Sequence, residues 1–265
     1  MKYLSIVVLL CVLGCATGPI EETKSFISAV AAVKSATDAI LDDFNVAERN
    51  QFSRQRHGAF NLRTADEAYY YSTLADAPST RQFRRGILVI QEYSELLRIL
   101  VDGTNVAAVH AQAESLANSI AGLVADARVK AAFAAFSPIL DQLVGIAGLA
   151  EAKRLALAGE KPMRILLASL RDAAPKILDG FLIDIQASSS ATQAEVLRRS
   201  TERRLIVAND VVMLDRLDEA FVRLVRAYEQ PNNPVTLSLL VKATNQLESD
   251  LQAARKTLAI IRNPA

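Results

Sequence analysis

Apolar residues recur at alternating steps of three and four along almost the whole of this 265-residue chain, and that spacing constrains its fold more than any other feature. One run is Phe26, Val30, Val33, Thr37, Ile40, Phe44, Ala47; a second is Val106, Val109, Ala113, Leu116, Ile120, Leu123, Ala127. A third is Met163, Leu167, Leu170, Ala174, Ile177, Phe181, and the last is Leu237, Leu240, Thr244, Leu247, Leu251, Ala254, Leu258, Ile261. Side chains three and four apart share one face of an α-helix, and a repeat of seven turns that face toward a neighbouring helix. No alternating apolar run bounded by turn residues competes with this pattern. The expected fold is therefore all-α: an elongated up-and-down helical bundle with coiled-coil-like heptad packing.

Composition agrees. Aromatic residues make up 6% of the chain, Trp is absent, and only 10 Gly and 8 Pro interrupt it. The formal charge is +1, so no global field favours nucleic acid, which is excluded as a partner. Breaks are read from local punctuation. Ala77-Pro78-Ser79 predicts a helix from about 79 with Ser79 as N-cap, and Asp102-Gly103-Thr104 ends that helix and caps the next. Ser137-Pro138 fits a helix start, and Gly159-Glu160-Lys161-Pro162 reads as a further break. Pro175 falls inside a helical pattern and should bend it. Ser188-Ser189-Ser190 precedes a helix over about 192–229, and Gln230-Pro231-Asn232-Asn233-Pro234 is a loop leading to the final helix. Residues 20–76 form either one long helix or two broken near Gly58. No linker separates domains, so 20–265 is read as a single helical-bundle domain.

Motifs for catalysis are missing. The only histidines are His57 and His110, no Glu-x-x-His or His-Glu-x-x-His occurs, and there is no nucleophile elbow or phosphate-binding glycine loop. The chain is not read as an enzyme, no metal site is expected and no cofactor is implied; an enzyme with a cryptic site is the second alternative.

A basic, aromatic stretch is the candidate binding surface. It comprises Arg49, Arg54, Arg56, Arg63, Tyr70, Arg81, Arg84 and Arg85, with His57 and the run Tyr69-Tyr70-Tyr71 within it. Guanidinium groups bind carboxylate and phosphate in bidentate fashion, so the partner would be an envelope protein, peptidoglycan or anionic lipid head groups. The competing reading is a solvated helix face neutralised by Asp66, Glu67 and acids of neighbouring helices, with one tyrosine in the core and another at its rim. Arg198, Arg199, Arg203 and Arg204, with Glu195 and Glu202, read as a salt-bridged exposed face. Asp215, Asp218 and Glu219 read as partners of Arg216, Arg223 and Arg226 rather than as metal ligands. The segment 131–150 is apolar nearly all round, which marks a central bundle helix or, alternatively, a segment held for membrane insertion.

The N-terminus supplies the remaining motif. Lys2 precedes an apolar run from Tyr3 to Leu13, too short to span a bilayer, and Val12-Leu13-Gly14-Cys15 follows as a cleavage region. This resembles the lipobox of bacterial lipoproteins, although members of that class favour Leu and then Ala or Ser where this chain has Val12 and Leu13. The resemblance implies removal of residues 1–14 as a signal peptide, lipidation of Cys15 with palmitate-type acyl chains, and a short tether over 15–19. Ala16 rather than Asp at the next position implies the periplasmic face of the outer membrane in a Gram-negative host rather than the inner membrane. Cys11 leaves with the signal, so no disulfide is expected. The expected function is a membrane-anchored, non-catalytic helical binding or scaffold module of the cell envelope. A membrane-active, pore-forming-like bundle using 131–150 is the first alternative, and self-association is expected if a heptad seam is left exposed.

Overall fold

The computed structural model describes residues 18–56, 62, 64–103, 105–123, 127–143, 148–187 and 191–231, with 242, 245–246, 249–250, 252–253 and 256. Cys15 and the lipobox, His57 and Arg63 lie outside the described residues, as does the seam of the final helix.

The described residues form an all-α bundle with no strand. Seven helices are seen among them: α1 Gly18–Gln55, α2 Ala65–Tyr71, α3 Pro78–Asp102, α4 Val106–Ala121, α5 Ala127–Gln142, α6 Leu149–Gln186 and α7 Gln193–Glu229. Helices α1, α3, α6 and α7 make the central four-helix layer. The seam residues of the first run, from Phe26 to Ala47, are all buried, as are those from Met163 to Phe181. At ~25 cal/mol per Å² of buried apolar surface, this continuous stripe is the main source of cohesion. Contacts fix the directions. Phe26 meets Phe221 at 5.6 Å and Asp43 meets Arg203 at 2.6 Å, so α1 and α7 are antiparallel. Phe44 meets Phe181 at 5.7 Å and Arg54 meets Asp184 at 2.9 Å, so α1 and α6 are parallel. The α4–α5 pair packs outside this layer, against α3 and α6.

A buried aromatic layer sits near one end. The Tyr93 ring lies 6.1 Å from Phe136 and 5.7 Å from Phe221, and its hydroxyl donates to the Leu155 carbonyl at 3.1 Å. Gly159 makes room for it: a Cβ there would stand 2.4 Å from the Tyr93 hydroxyl oxygen.

That contact explains one departure from the punctuation. Gly159-Glu160-Lys161-Pro162 does not break the chain; α6 runs straight through it and contains Pro162 and Pro175. Gly159 serves a close packing contact rather than a turn, and buried residues on both sides of Pro162 carry the helix past its missing N–H. Pro138 likewise lies inside α5, eleven residues after its start, rather than opening a helix. Ala134 and Pro138 are both exposed, so the carbonyl that Pro138 leaves without an amide faces water.

The N-cap of α3 is also not Ser79. The helix starts at Pro78, and the carboxylate of Glu48, reaching from α1, accepts from the Ser79 amide at 2.9 Å, the Thr80 amide at 3.0 Å and the Thr80 hydroxyl at 2.9 Å. A carboxylate at a helix N-terminus satisfies orphan amides and faces the positive end of the helix dipole. At the other end Gly103, with φ 65°, closes α3, and Asn105 rather than Thr104 caps α4. Of the two readings of 20–76, the broken one holds, since α1 ends at Gln55 and α2 begins at Ala65. The helix predicted over 192–229 is α7, capped by Thr192.

Candidate functional site: the arginine-rich 49–85 region

Arg49 projects from the last third of α1 into the chain between α2 and α3. Its guanidinium donates to the carbonyls of Tyr70 at 2.8 Å, Ser72 at 2.6 Å and Ala75, while Nε donates to Asn45 at 3.2 Å. Asn45 in turn accepts from the Ala77 amide at 2.8 Å. A non-helical segment carries backbone groups that need partners, and one planar fork supplies three of them. Arg49 is thereby a strut of the fold.

The other arginines are engaged in the same manner. Arg54 pairs with Asp184 of α6, and Arg56 pairs with Glu67 while lying 5.5 Å from the Phe52 ring. Arg81 covers the Tyr69 ring at 3.6 Å, although its Nε is buried without a hydrogen-bond partner. Arg84 reaches Asp38, Asp42 and Asp76, each at 2.8 Å. Burial opposes its charge, but the bonds to Asp42, Asp76 and Asp38 outweigh that, so its pKa stands above the ordinary guanidinium value. Arg85 donates to the Gly122 carbonyl at 2.7 Å, which ties α3 to the end of α4.

Tyr70 stacks on Phe52 with ring centroids 4.0 Å apart and 1° between planes. Its pKa is raised by burial and then by Glu48 and Asp66. None of the three tyrosines enters the core, contrary to expectation: Tyr69 and Tyr70 are half-buried and Tyr71 is exposed. The core tyrosines are Tyr93 and Tyr228. The six described arginines of this region therefore each hold a partner within the chain: Arg54, Arg56 and Arg84 pair with acids, Arg49 and Arg85 donate to backbone carbonyls, and Arg81 lies over the Tyr69 ring.

The second basic run is the salt-bridged face that its spacing implies. Arg198 and Arg199 both engage Glu195, whose pKa their hydrogen bonds lower to about 2, and Arg198 also approaches Glu202 at 3.7 Å. Arg203 instead crosses to Asp43 and lies 4.5 Å from the Phe181 ring. Asp215 and Asp218 do not pair along α7 as expected; they meet Arg171 and Arg164 of α6. Glu219 does pair along the helix, with Arg216 at 3.1 Å and Arg223 at 3.8 Å. Among the described residues no group of His, Cys, Asp or Glu is arranged to hold a metal ion.

The 131–150 segment is not one helix. Its first part lies in α5 and its last residues open α6. Helix α5 buries Ala132, Phe133, Phe136 and Leu140 and turns Ala131, Ala134 and Ala135 outward, so it is an edge helix, not a central one. Alanine reads as apolar in sequence yet exposes too little surface to demand cover. Two clefts flank this edge. One of 360 Å³ is walled by Ala131, Ala135, Phe136 and Pro162, and one of 490 Å³ by Phe83, Gly86, Leu166 and Leu170. Arg128 stands at both, 3.8 Å from Asp172.

Sequence reasoning missed the buried polar contacts between helices. The Thr37 hydroxyl donates to Asp210 at 2.7 Å, and Thr23 and Tyr228 share a hydrogen bond of 2.7 Å. Burial raises the pKa of Asp210 to about 6, with the Thr37 bond pulling the other way, and raises that of Tyr228 to about 12, opposed by Thr23. Glu22 is buried, its Oε2 has no hydrogen-bond partner, and burial followed by the charge of Glu21 lifts its pKa to about 7. A signal was present: Thr37 occupies a seam position, and a hydroxyl placed there requires a partner.

Comparison with known protein families, with curated proteins and with solved structures finds no match.

Proposed function

We propose that this chain is a bacterial lipoprotein, tethered through an acylated Cys15, whose helical bundle serves as a non-catalytic binding or scaffold module of the cell envelope. The observation that carries the reading is the sequence Val12-Leu13-Gly14-Cys15 behind the short apolar run. Two or three acyl chains, at ~0.8 kcal/mol per buried CH₂, give stable anchoring where one chain gives marginal binding.

The position of α1 supports the same reading. The helix begins at Gly18, three residues after Cys15, so a lipid there would hold the bundle against the bilayer rather than on a long leash. From the layer of Phe26, Tyr93, Phe136 and Phe221 the chain reaches Gly18, Gly103, Gln142 and Gln230 within about 15 Å at 1.5 Å per residue. These ends therefore share the membrane-proximal side with the start of α1. Val106 and Leu149, both exposed apolar residues, lie on that side as well. No helix among the described residues is long and apolar enough to cross a membrane. In a Gram-negative host Ala16 directs the protein to the periplasmic face of the outer membrane.

Mass spectrometry of the mature N-terminus, in wild type and in Cys15→Ser, tests the proposal. The expected result is a diacylglyceryl-modified chain starting at Cys15 in wild type, and release of the Cys15→Ser protein from the membrane fraction. An unmodified wild-type chain starting at Thr17 would sink it.

A further inference from the structure

Helices α5 and α6 run antiparallel, since Arg128 lies 3.8 Å from Asp172 and Arg154 donates to Gln142 at 3.1 Å. The 360 Å³ cleft lies between them. Its shape follows from the residues that wall it. Alanine ends at Cβ, so Ala131 and Ala135 on α5 and Ala158 on α6 leave the groove between the two helices unfilled, while Phe136, Pro162 and Ile165 line it with carbon. An apolar concavity with a few polar groups at its edge is the usual form of a small-molecule site, and such sites run from ~300 to 1,000 Å³.

The charges at this edge do not balance. The residues lining this cleft and the neighbouring 490 Å³ one include the cations Arg128, Lys161 and Lys176 against the single acid Asp172, whereas the chain as a whole holds 30 basic and 29 acidic residues. The smaller cleft has Arg128 and Lys161 and no acid in its lining. Elsewhere on α6 the arginines pair with acids: Arg154 with Glu151, Arg164 with Asp218 and Arg171 with Asp215. Lys161 and Lys176 have no ion pair among the described residues. An apolar trough edged by cations is complementary to a molecule with an apolar body and an anionic end.

We propose that the cleft between α5 and α6 binds a long-chain fatty acid. The acyl chain lies against Ala131, Ala135, Phe136 and Ile165, where removing its methylenes from water supplies the affinity. The carboxylate sits at the rim with Arg128, whose planar fork accepts it in bidentate fashion, and Lys161 adds a second positive charge. Size favours a single chain over a partner helix: two turns of helix, ~10 Å wide and ~11 Å long, would occupy ~850 Å³, more than twice the cleft. The inference does not rest on the Cys15 anchor.

Titration calorimetry on the full-length chain tests this, with Cys15→Ser so that no attached acyl chain competes for the cleft. The probes are dodecanoate, hexanoate and dodecyltrimethylammonium, all below their micelle concentrations. Dodecanoate should bind saturably at one site, at least about tenfold more tightly than hexanoate, which loses buried methylenes, or than the cation of equal length. The double variant Arg128→Gln, Lys161→Gln should weaken dodecanoate at least about tenfold. Ala131→Leu with Ala135→Leu, both exposed positions on the cleft wall, should do the same by filling it. Ala134→Leu, exposed on α5 but outside the cleft lining, is the matched control and should leave the affinity unchanged. Thermal melts of each variant confirm that the bundle is intact. Absence of saturable dodecanoate binding overturns the proposal. So does equal affinity for the anionic and cationic probes, or a loss in Ala134→Leu as large as that in the cleft-filling variant.

Discussion

Asp210 is the group whose removal should reveal most about how this bundle is held. It is 2% exposed, between α7 and α1, with the Thr37 hydroxyl as its hydrogen-bond donor at 2.7 Å. Burial disfavours its charged form and lifts its pKa from 3.8 to about 6. The sign follows directly. A folded pKa above the unfolded one means that the folded state holds its proton more tightly, so this group stabilises the fold below pH ~4. That contribution is lost as pH rises through ~6. With these two values the loss between pH 4.5 and 7 is about 2 kcal/mol, at 1.36 kcal/mol per pKa unit. Asp210→Asn keeps the shape and an oxygen to accept from Thr37 but cannot ionise. Urea unfolding of both proteins at pH 4.5, 5.5, 6.5 and 7.5 should show the stability difference shift in favour of Asn by ~2 kcal/mol across the series. Comparing the two proteins cancels Glu22, which is raised to about 7 and acts in the same direction. If the two stability profiles run parallel over that range, the buried site does not lift this carboxyl and the reasoning fails.

Two further substitutions address the rest of the packing. Arg49→Lys should cost roughly 2 kcal/mol in urea unfolding and speed amide exchange over 72–77, because a compact ammonium cannot serve the carbonyls of Tyr70, Ser72 and Ala75 together. A change within about 0.5 kcal/mol would show that the strut is not needed. Gly159→Ala would place a methyl 2.4 Å from the Tyr93 hydroxyl oxygen and 2.6 Å from its ring, so a destabilisation of ~1–3 kcal/mol is expected from the same assay, although alanine is the better helix former.

The seams were legible because burial repeats. Phe26 to Ala47 and Met163 to Phe181 were placed on the core face by spacing alone, and the structure buries each one. The run from Val106 to Ala127 does less well: Val106 and Ala127, which open α4 and α5, are exposed and Ile120 is half-buried, because the chain leaves the helix after Ala121 and the spacing is carried across a break. What spacing could not carry was any contact set by distant residues. Glu48 caps a helix that begins 30 positions later, and nothing local to Ser79 signals it. Gly159 and Pro162 carry the local signs of a break, and only the position of Tyr93 reveals why they are tolerated. In the candidate region the cluster of arginines was visible, but its partners Asp38, Asp42 and Asp184 lie on other turns and another helix. A list of cations cannot show which of them the fold has already used.

The polar contacts along α1 and α7 answer a question that heptads leave open. A seam repeating every seven residues packs almost equally well after a slip of one heptad, ~10.5 Å along the axis. In the observed register Thr23 meets Tyr228, Thr37 meets Asp210 and Asp43 meets Arg203. A slip of seven would seat Asp210 against Val30 or Phe44, and Arg203 against Ala36 or Asn50, while the apolar positions would still find apolar neighbours. An unpaired buried carboxyl costs several kcal/mol, far more than a shuffle of leucine and valine contacts. We infer that Asp210 is retained at a neutral-pH cost in stability because it makes one register of α1 on α7 far better than its neighbours. If the proposed lipid anchor sits at Cys15, α7 ends beside it only when Thr23 and Tyr228 are opposite each other.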